Sequence, residues 1–163
     1  PENATVLDCG CGGGANIKKL LKICPKGRVF GIDYATVSVT ASQKNNRAAI
    51  KAGRCAISQA SVTDLPFESA AFDLVTAFET VYFWPDPLQS FREILRVLKP
   101  DGSLLICNEC GGKAGKGEKW EKKIDGMTVY GTEELASILK KAGFQNIRTY
   151  KNRKGWICVT AQK

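Results

Sequence analysis

Histidine is absent from the chain of 163 residues, and methionine occurs once. Without imidazole, any proton transfer falls to a carboxylate or a tyrosine. Long apolar runs are missing too. No stretch approaches the ~20 apolar residues of a membrane-spanning helix or carries the charged-then-apolar pattern of a signal peptide. These absences predict a soluble chain. At this length it is one domain, with a full core and no room for a second. No internal repeat or low-complexity tract breaks it.

Charge and thiols are plentiful. The net charge is +8, with 9 basic and 7 acidic side chains in residues 1–81 and 15 and 9 in residues 82–163. Lys113, Lys116, Lys119, Lys122 and Lys123 crowd one glycine-bearing stretch, which suits an anionic small molecule, RNA or a membrane surface. A solvated loop is the plain alternative, because only Trp120 interleaves the lysines. The seven cysteines are an odd number. Cys9, Cys55, Cys107 and Cys158 lie in apolar strand-like runs, where a thiol packs as a small hydrophobe. This composition points to a reducing, cytoplasmic location.

Apolar runs alternate with helical patterns. The expected elements are strands at 4–8, 28–33, 55–60, 72–78 and 102–109, helices at 14–24, 36–52, 87–98 and 132–142, and two final strands at 144–150 and 155–162. Such alternation makes an α/β sheet covered by helices on both faces. The helix from 87 is the clearest: Asp86 caps it, Pro87 opens it, and Leu88, Phe91, Ile94, Leu95 and Leu98 share a face. Lys99-Pro100-Asp101-Gly102 is expected to stop it. Only a few residues around Asn152-Arg153-Lys154-Gly155 join the last two strands, so these form an antiparallel hairpin.

The chemistry concentrates at Asp8-Cys9-Gly10-Cys11-Gly12-Gly13-Gly14-Ala15, between the first strand and the first helix. A turn free of side chains lets a nucleotide-like ligand approach the backbone and the N–H groups at the helix start. The loop fits the dinucleotide pattern G-x-G-x-x-A through Gly10, Gly12 and Ala15, and it also fits D-x-G-x-G. Asp33 ends the second strand, where a carboxylate accepts hydrogen bonds from both ribose hydroxyls. An ordinary strand-to-helix turn with a capping Asp is the plain alternative.

Five blocks, taken together, resemble the class I S-adenosylmethionine-dependent methyltransferases, in particular the small-molecule branch that includes the ubiquinone and menaquinone biosynthesis enzymes. They are Val6 to Gly14, Gly31-Ile32-Asp33, Leu65-Pro66-Phe67, Phe72 to Phe78, and Arg96 to Gly102. The resemblance spans nearly the whole chain. It implies a Rossmann-like seven-stranded sheet of order 3-2-1-4-5-7-6 with strand 7 antiparallel, and S-adenosylmethionine as cofactor. It further implies that Gly10, Cys11 and Gly12 approach the methionine part, that Asp8 orients the loop, and that Asp33 holds the ribose, with Tyr34 and Phe78 beside the cofactor. Four positions before Leu-Pro-Phe, relatives often carry an acid near the adenine. Here Ser61 stands there, leaving backbone groups of Ser61 and Val62, or Asp64, for that role. Relatives also place helices before the first strand. The start at Pro1 leads us to expect a single methyltransferase domain over 1–163 that lacks them.

The candidate bases are Glu79, which ends the fourth strand, then Tyr82, Glu109 and Asp86. Glu79 and Tyr82 are the first choices, and a rim carboxylate in a cap or salt bridge is the plain alternative for Glu79. Of Tyr82, Phe83 and Trp84, one is expected to face the cofactor through cation–π attraction, while Phe83 or Trp84 packs under the next helix. Glu79-Thr80-Val81-Tyr82 stands where resembling amino methyltransferases of DNA, RNA and protein carry Asn-Pro-Pro-Tyr, which speaks against a nucleic-acid acceptor. Zinc on Cys9, Cys11, Cys107 and Cys110 is disfavoured, because strands 1 and 5 would lie roughly two 4.8 Å spacings apart. Two other classes stay open: an NAD-dependent oxidoreductase, and a non-catalytic module that binds the cofactor or a nucleic acid. Methylation of a metalloid by way of Cys107 and Cys110 is a further variant.

Overall fold

The computed structural model describes residues 1–111 and 116–163. Lys113 of the basic stretch lies outside them, as does the side chain of Lys116. Seven strands form one sheet: β1 (Thr5–Cys9), β2 (Arg28–Asp33), β3 (Cys55–Gln59), β4 (Phe72–Phe78), β5 (Leu98–Asn108), β6 (Gln145–Lys151) and β7 (Ile157–Gln162). Their order is β3-β2-β1-β4-β5-β7-β6. Neighbours from β3 to β5 pair in parallel, and β7 runs antiparallel to both β5 and β6. The expected topology is therefore present. An antiparallel strand inside the sheet also separates it from the all-parallel dinucleotide fold.

Alternation along the strands builds two cores. Val6 belongs to a cluster with Ile17 and Leu20 of α1 (Ala15–Ile23), Val29 and Val39. Its neighbour Leu7 points the other way, into a larger cluster with Phe91 and Ile94 of α4 (Pro87–Val97) and Leu135 and Leu139 of α6 (Thr132–Ala142). Along β5, Leu104 and Ile106 enter the larger core, while Leu105 and Cys107 face the α1 side half-buried. Helix α4 starts as expected, with Gln89 N–H donating to Asp86 Oδ1 at 2.9 Å.

Four local features differ from the sequence reading. The helix expected at 36–52 divides at Asn46 into α2 (Thr36–Asn45) and α3 (Arg47–Lys51). Buried Asn46 donates from Nδ2 to Ser42 O at 2.9 Å and Gly14 O at 3.2 Å, so its side chain competes for the helix ladder. The turn at 99–102 does not precede β5. It is a bulge inside it, since Phe72 pairs with Leu98 and Leu74 already pairs with Ser103. Asp101 takes φ +61° there. Two short elements carried no periodic signal: a 3₁₀ turn at Val81–Phe83 and the helix α5 (Lys116–Glu121). No helix among the described residues is long and apolar enough to cross a membrane.

Candidate active site

The carboxyl ends of β1, β2 and β4 converge on a cavity of about 740 Å³, the place where open α/β sheets bind ligands. The glycine loop forms one wall. Gly10 N–H and Cys11 N–H both donate to Ile32 O, at 2.8 and 2.9 Å, which locks the loop to the end of β2. At Gly10, φ is +74° and a Cβ would collide with the Thr80 hydroxyl. At Gly12, φ is +50° and a Cβ would meet nothing within 4 Å, so the backbone faces open cavity. Without side chains, the loop gives a ligand direct access to the start of α1.

Asp33 sits opposite, 8% exposed. Its Oδ2 accepts from Gly12 N–H at 2.9 Å and its Oδ1 from Ala35 N–H at 3.0 Å. Each oxygen keeps a second lone pair, and the residue lines the cavity. Loop and acid thus fix each other and leave acceptor capacity for a diol.

Of the expected cofactor residues, Gly10, Cys11, Gly12 and Asp33 line this cavity, and so do Tyr34, Ser61, Val62 and Phe78. Asp8 does not. Buried behind the loop, it accepts from Thr76 Oγ1 at 2.7 Å across β1 and β4. Burial, with Asp33 adding charge repulsion against the Thr76 hydrogen bond, pushes its carboxyl up to about 7. Burial likewise pushes the Cys11 thiol up to about 11, leaving a packing group rather than a nucleophile. Asp64 stays outside the cavity; its N–H turns back to Ser61 O at 3.2 Å.

The two first-choice catalytic residues separate. Glu79 lines the cavity, with φ +57°, a strained value for a non-glycine residue. Its Oε1 accepts from Glu109 N–H at 2.5 Å, and its Oε2 lies 3.3 Å from the Tyr82 hydroxyl. Burial raises its pKa above the ordinary glutamate value. Tyr82 is buried off the cavity. Its hydroxyl accepts from Cys110 N–H at 2.9 Å and shares its one proton between Glu79 and Cys110 O at 3.2 Å. Burial also raises its pKa. With its hydroxyl so engaged, Tyr82 braces the ends of β4 and β5. Of the three aromatic residues that follow Thr80 and Val81, Phe83 and Trp84 line the cavity, the latter packed on Phe91 at 5.3 Å. Asp86 is occupied as the cap of α4. Asn16, Ser38 and Thr80 also line the cavity. Their types carry no sequence signal of their own, and only position next to the loop, β2 and β4 points to them.

A second cavity, of about 540 Å³, adjoins the first through Asn16, Phe78 and Glu79. Lys19 and Lys151 bring positive charge to it, Glu109 an acid, and Tyr150 and Trp156 exposed rings. Among the described residues, no three Cys, Asp or Glu side chains gather as metal ligands.

Residues 7–106 match the family model described as a methyltransferase domain. The demethylmenaquinone methyltransferase of Lactiplantibacillus plantarum is 36% identical over 109 residues, which cover 66% of this chain and 46% of that protein. The cycloartenol-C-24-methyltransferase of Arabidopsis thaliana is 30% identical over 151 residues, 87% of this chain and 45% of that protein. The chain therefore spans less than half the length of these curated relatives. A SAM-dependent methyltransferase from Aquifex aeolicus superposes with a TM-score of 0.81 over 98% of this chain and 81% of that one, at 24% identity. That likeness is one of fold.

Proposed function

The chain belongs to the methyltransferase domain family, and from that premise we propose that it transfers a methyl group from S-adenosylmethionine to a small-molecule acceptor in the cytoplasm. The observation that carries this reading is the pairing of Asp33 with the open backbone at Gly12 on one cavity wall. The residues present fit the cofactor. Asp33 has lone pairs for the ribose hydroxyls, the bare loop from Gly10 to Gly12 admits a methionine chain, and Ser61 and Val62 offer backbone groups to an adenine edge. When bound, the cofactor supplies an electrophilic methyl on a sulfonium. Phe83 and Trp84 offer ring faces to a cation, worth about 0.5–2 kcal/mol.

The second cavity is our choice for the acceptor, because it meets the first at Glu79. Lys19 and Lys151 there favour an anionic molecule, and Tyr150 and Trp156 favour a planar one. Glu79 takes the acceptor proton where one has to leave, a role helped by its raised pKa. For an acceptor that is already nucleophilic, alignment suffices. Glu79 to Tyr82 in place of an Asn-Pro-Pro-Tyr motif supports a small molecule over a nucleic acid.

Calorimetric titration with S-adenosylmethionine, S-adenosylhomocysteine and NADH tests the cofactor. We expect the first two to bind and NADH not to. Asp33→Ala should weaken binding about 100-fold, as loss of two hydrogen bonds to a charged acceptor implies, while a melting curve confirms that the variant folds. Binding of NADH alone would reverse the reading.

A further inference from the structure

Two thiols on the wall of the second cavity carry no role in the methyl transfer proposed above. Cys107 of β5 and Cys158 of β7 are direct register partners across the antiparallel pair. Lys163 N–H donates to Gly102 O at 3.0 Å, which makes Gly102 and Lys163 a hydrogen-bonded pair. Counting along the ladder from there, Cys107 and Cys158 fall at a non-hydrogen-bonded position, where opposed side chains come closest and Cα atoms lie about 4.5 Å apart. A disulfide accepts Cα separations of about 4.4–6.8 Å. Both thiols are reduced and half-buried, and both line the open cavity beside Lys19, Lys151 and Trp156. By contrast, Cys9, Cys11, Cys24 and Cys55 are buried.

We propose that Cys107 and Cys158 are a dithiol modification site that reacts with low-molecular-weight disulfides and closes into a cross-strand disulfide. The Cys158 sulfur, as thiolate, attacks the small disulfide; its S–S bond breaks, and the departing thiolate takes up the proton that Cys158 released. The Cys107 sulfur then attacks the Cys158 sulfur of the mixed disulfide, expelling a second small thiol that carries away the Cys107 proton. The two protein thiols are oxidised and one small disulfide is reduced to two thiols. We place Cys158 first because burial, with Cys158 itself as neighbour, raises the Cys107 thiol and disfavours its thiolate. Lys19 and Lys151 line the same cavity, as do Glu79 and Glu109. Closure alters the wall assigned above to the acceptor, a consequence that rests on that assignment; the chemistry itself does not.

The reduced chain is incubated with excess glutathione disulfide, quenched with iodoacetamide, and read by intact mass and by non-reducing peptide mapping. We expect the loss of two hydrogens and one bridge joining Cys107 to Cys158. Cys110→Ser should still close, whereas Cys107→Ser should stop at a glutathione adduct on Cys158. A wild-type chain that keeps the glutathione adduct, stays fully reduced, or bridges Cys107 to Cys110 overturns the proposal. These masses are independent of methyl transfer, so a failed acceptor reading and a failed thiol reading are distinguishable.

Discussion

Asp8 is a carboxyl held in the sheet interior, and its protonation couples to folding. Folded, it keeps its proton up to about pH 7; in an unfolded chain it releases it near pH 4. Between those values the folded state binds more protons, so the stability that Asp8 contributes is full below pH ~4 and is lost as pH rises to ~7. The whole shift corresponds to about 4 kcal/mol. Glu93 works the other way, since Arg96 holds its carboxyl below the usual range and that stability is lost on acidification. Subtracting the urea-melt profile of Asp8→Asn from that of the wild type isolates Asp8, and the difference should fall from pH 4 to pH 7 and then level. At this scale the sequence was informative where backbone did the work: Gly10, Gly12 and Asp33 are fixed by turn geometry and spacing. It was less so for side chains. Nothing local shows that the Tyr82 hydroxyl turns to the Cys110 backbone 28 residues away, or that Asp8 bonds across to Thr76.

Among the elements, the connection into β4 depends on one side chain of α4. Arg96 donates to Phe67 O at 2.7 Å and Leu65 O at 2.9 Å while gripping Glu93 at 2.8 Å, and Glu93 in turn accepts from Leu65 N–H. This clasp joins two sequence blocks that look unrelated along the chain and holds Phe67 against Phe30 and Phe72. Arg96→Met keeps the aliphatic stem and removes the donors. It should cost about 2–3 kcal/mol and lower the melting midpoint by roughly 5–10 °C in scanning calorimetry; an unchanged midpoint would refute the clasp. Element types were legible because β1 is a short apolar run bounded by a glycine loop and α4 carries an apolar face of period 3.6. Breaks were not. The division at Asn46 follows from a contact with Gly14 O, and the bulge at 99–102 from pairing with β4. Both are tertiary facts.

At the scale of the molecule, the positive excess and the strand order were the two global properties open to reading. The terminal hairpin indicated an antiparallel strand, and the family resemblance supplied its place in the sheet. Charge predicts behaviour toward salt. With Lys19 and Lys151 on the second cavity, KM for an anionic acceptor should rise several-fold as salt shortens the Debye length from about 30 Å to about 8 Å, with kcat little changed; a flat KM would remove the steering role. The placement of β7 carries one more consequence. Because β7 lies between β5 and β6, β6 is synthesised first yet has no strand to pair with until β7 arrives. A nascent chain cut before residue 157 would hold at most the five parallel strands and leave β5 as a raw edge. Closure of that edge therefore waits for β7, and the ribosome must deliver β7 before the sheet stops being a template for aggregation.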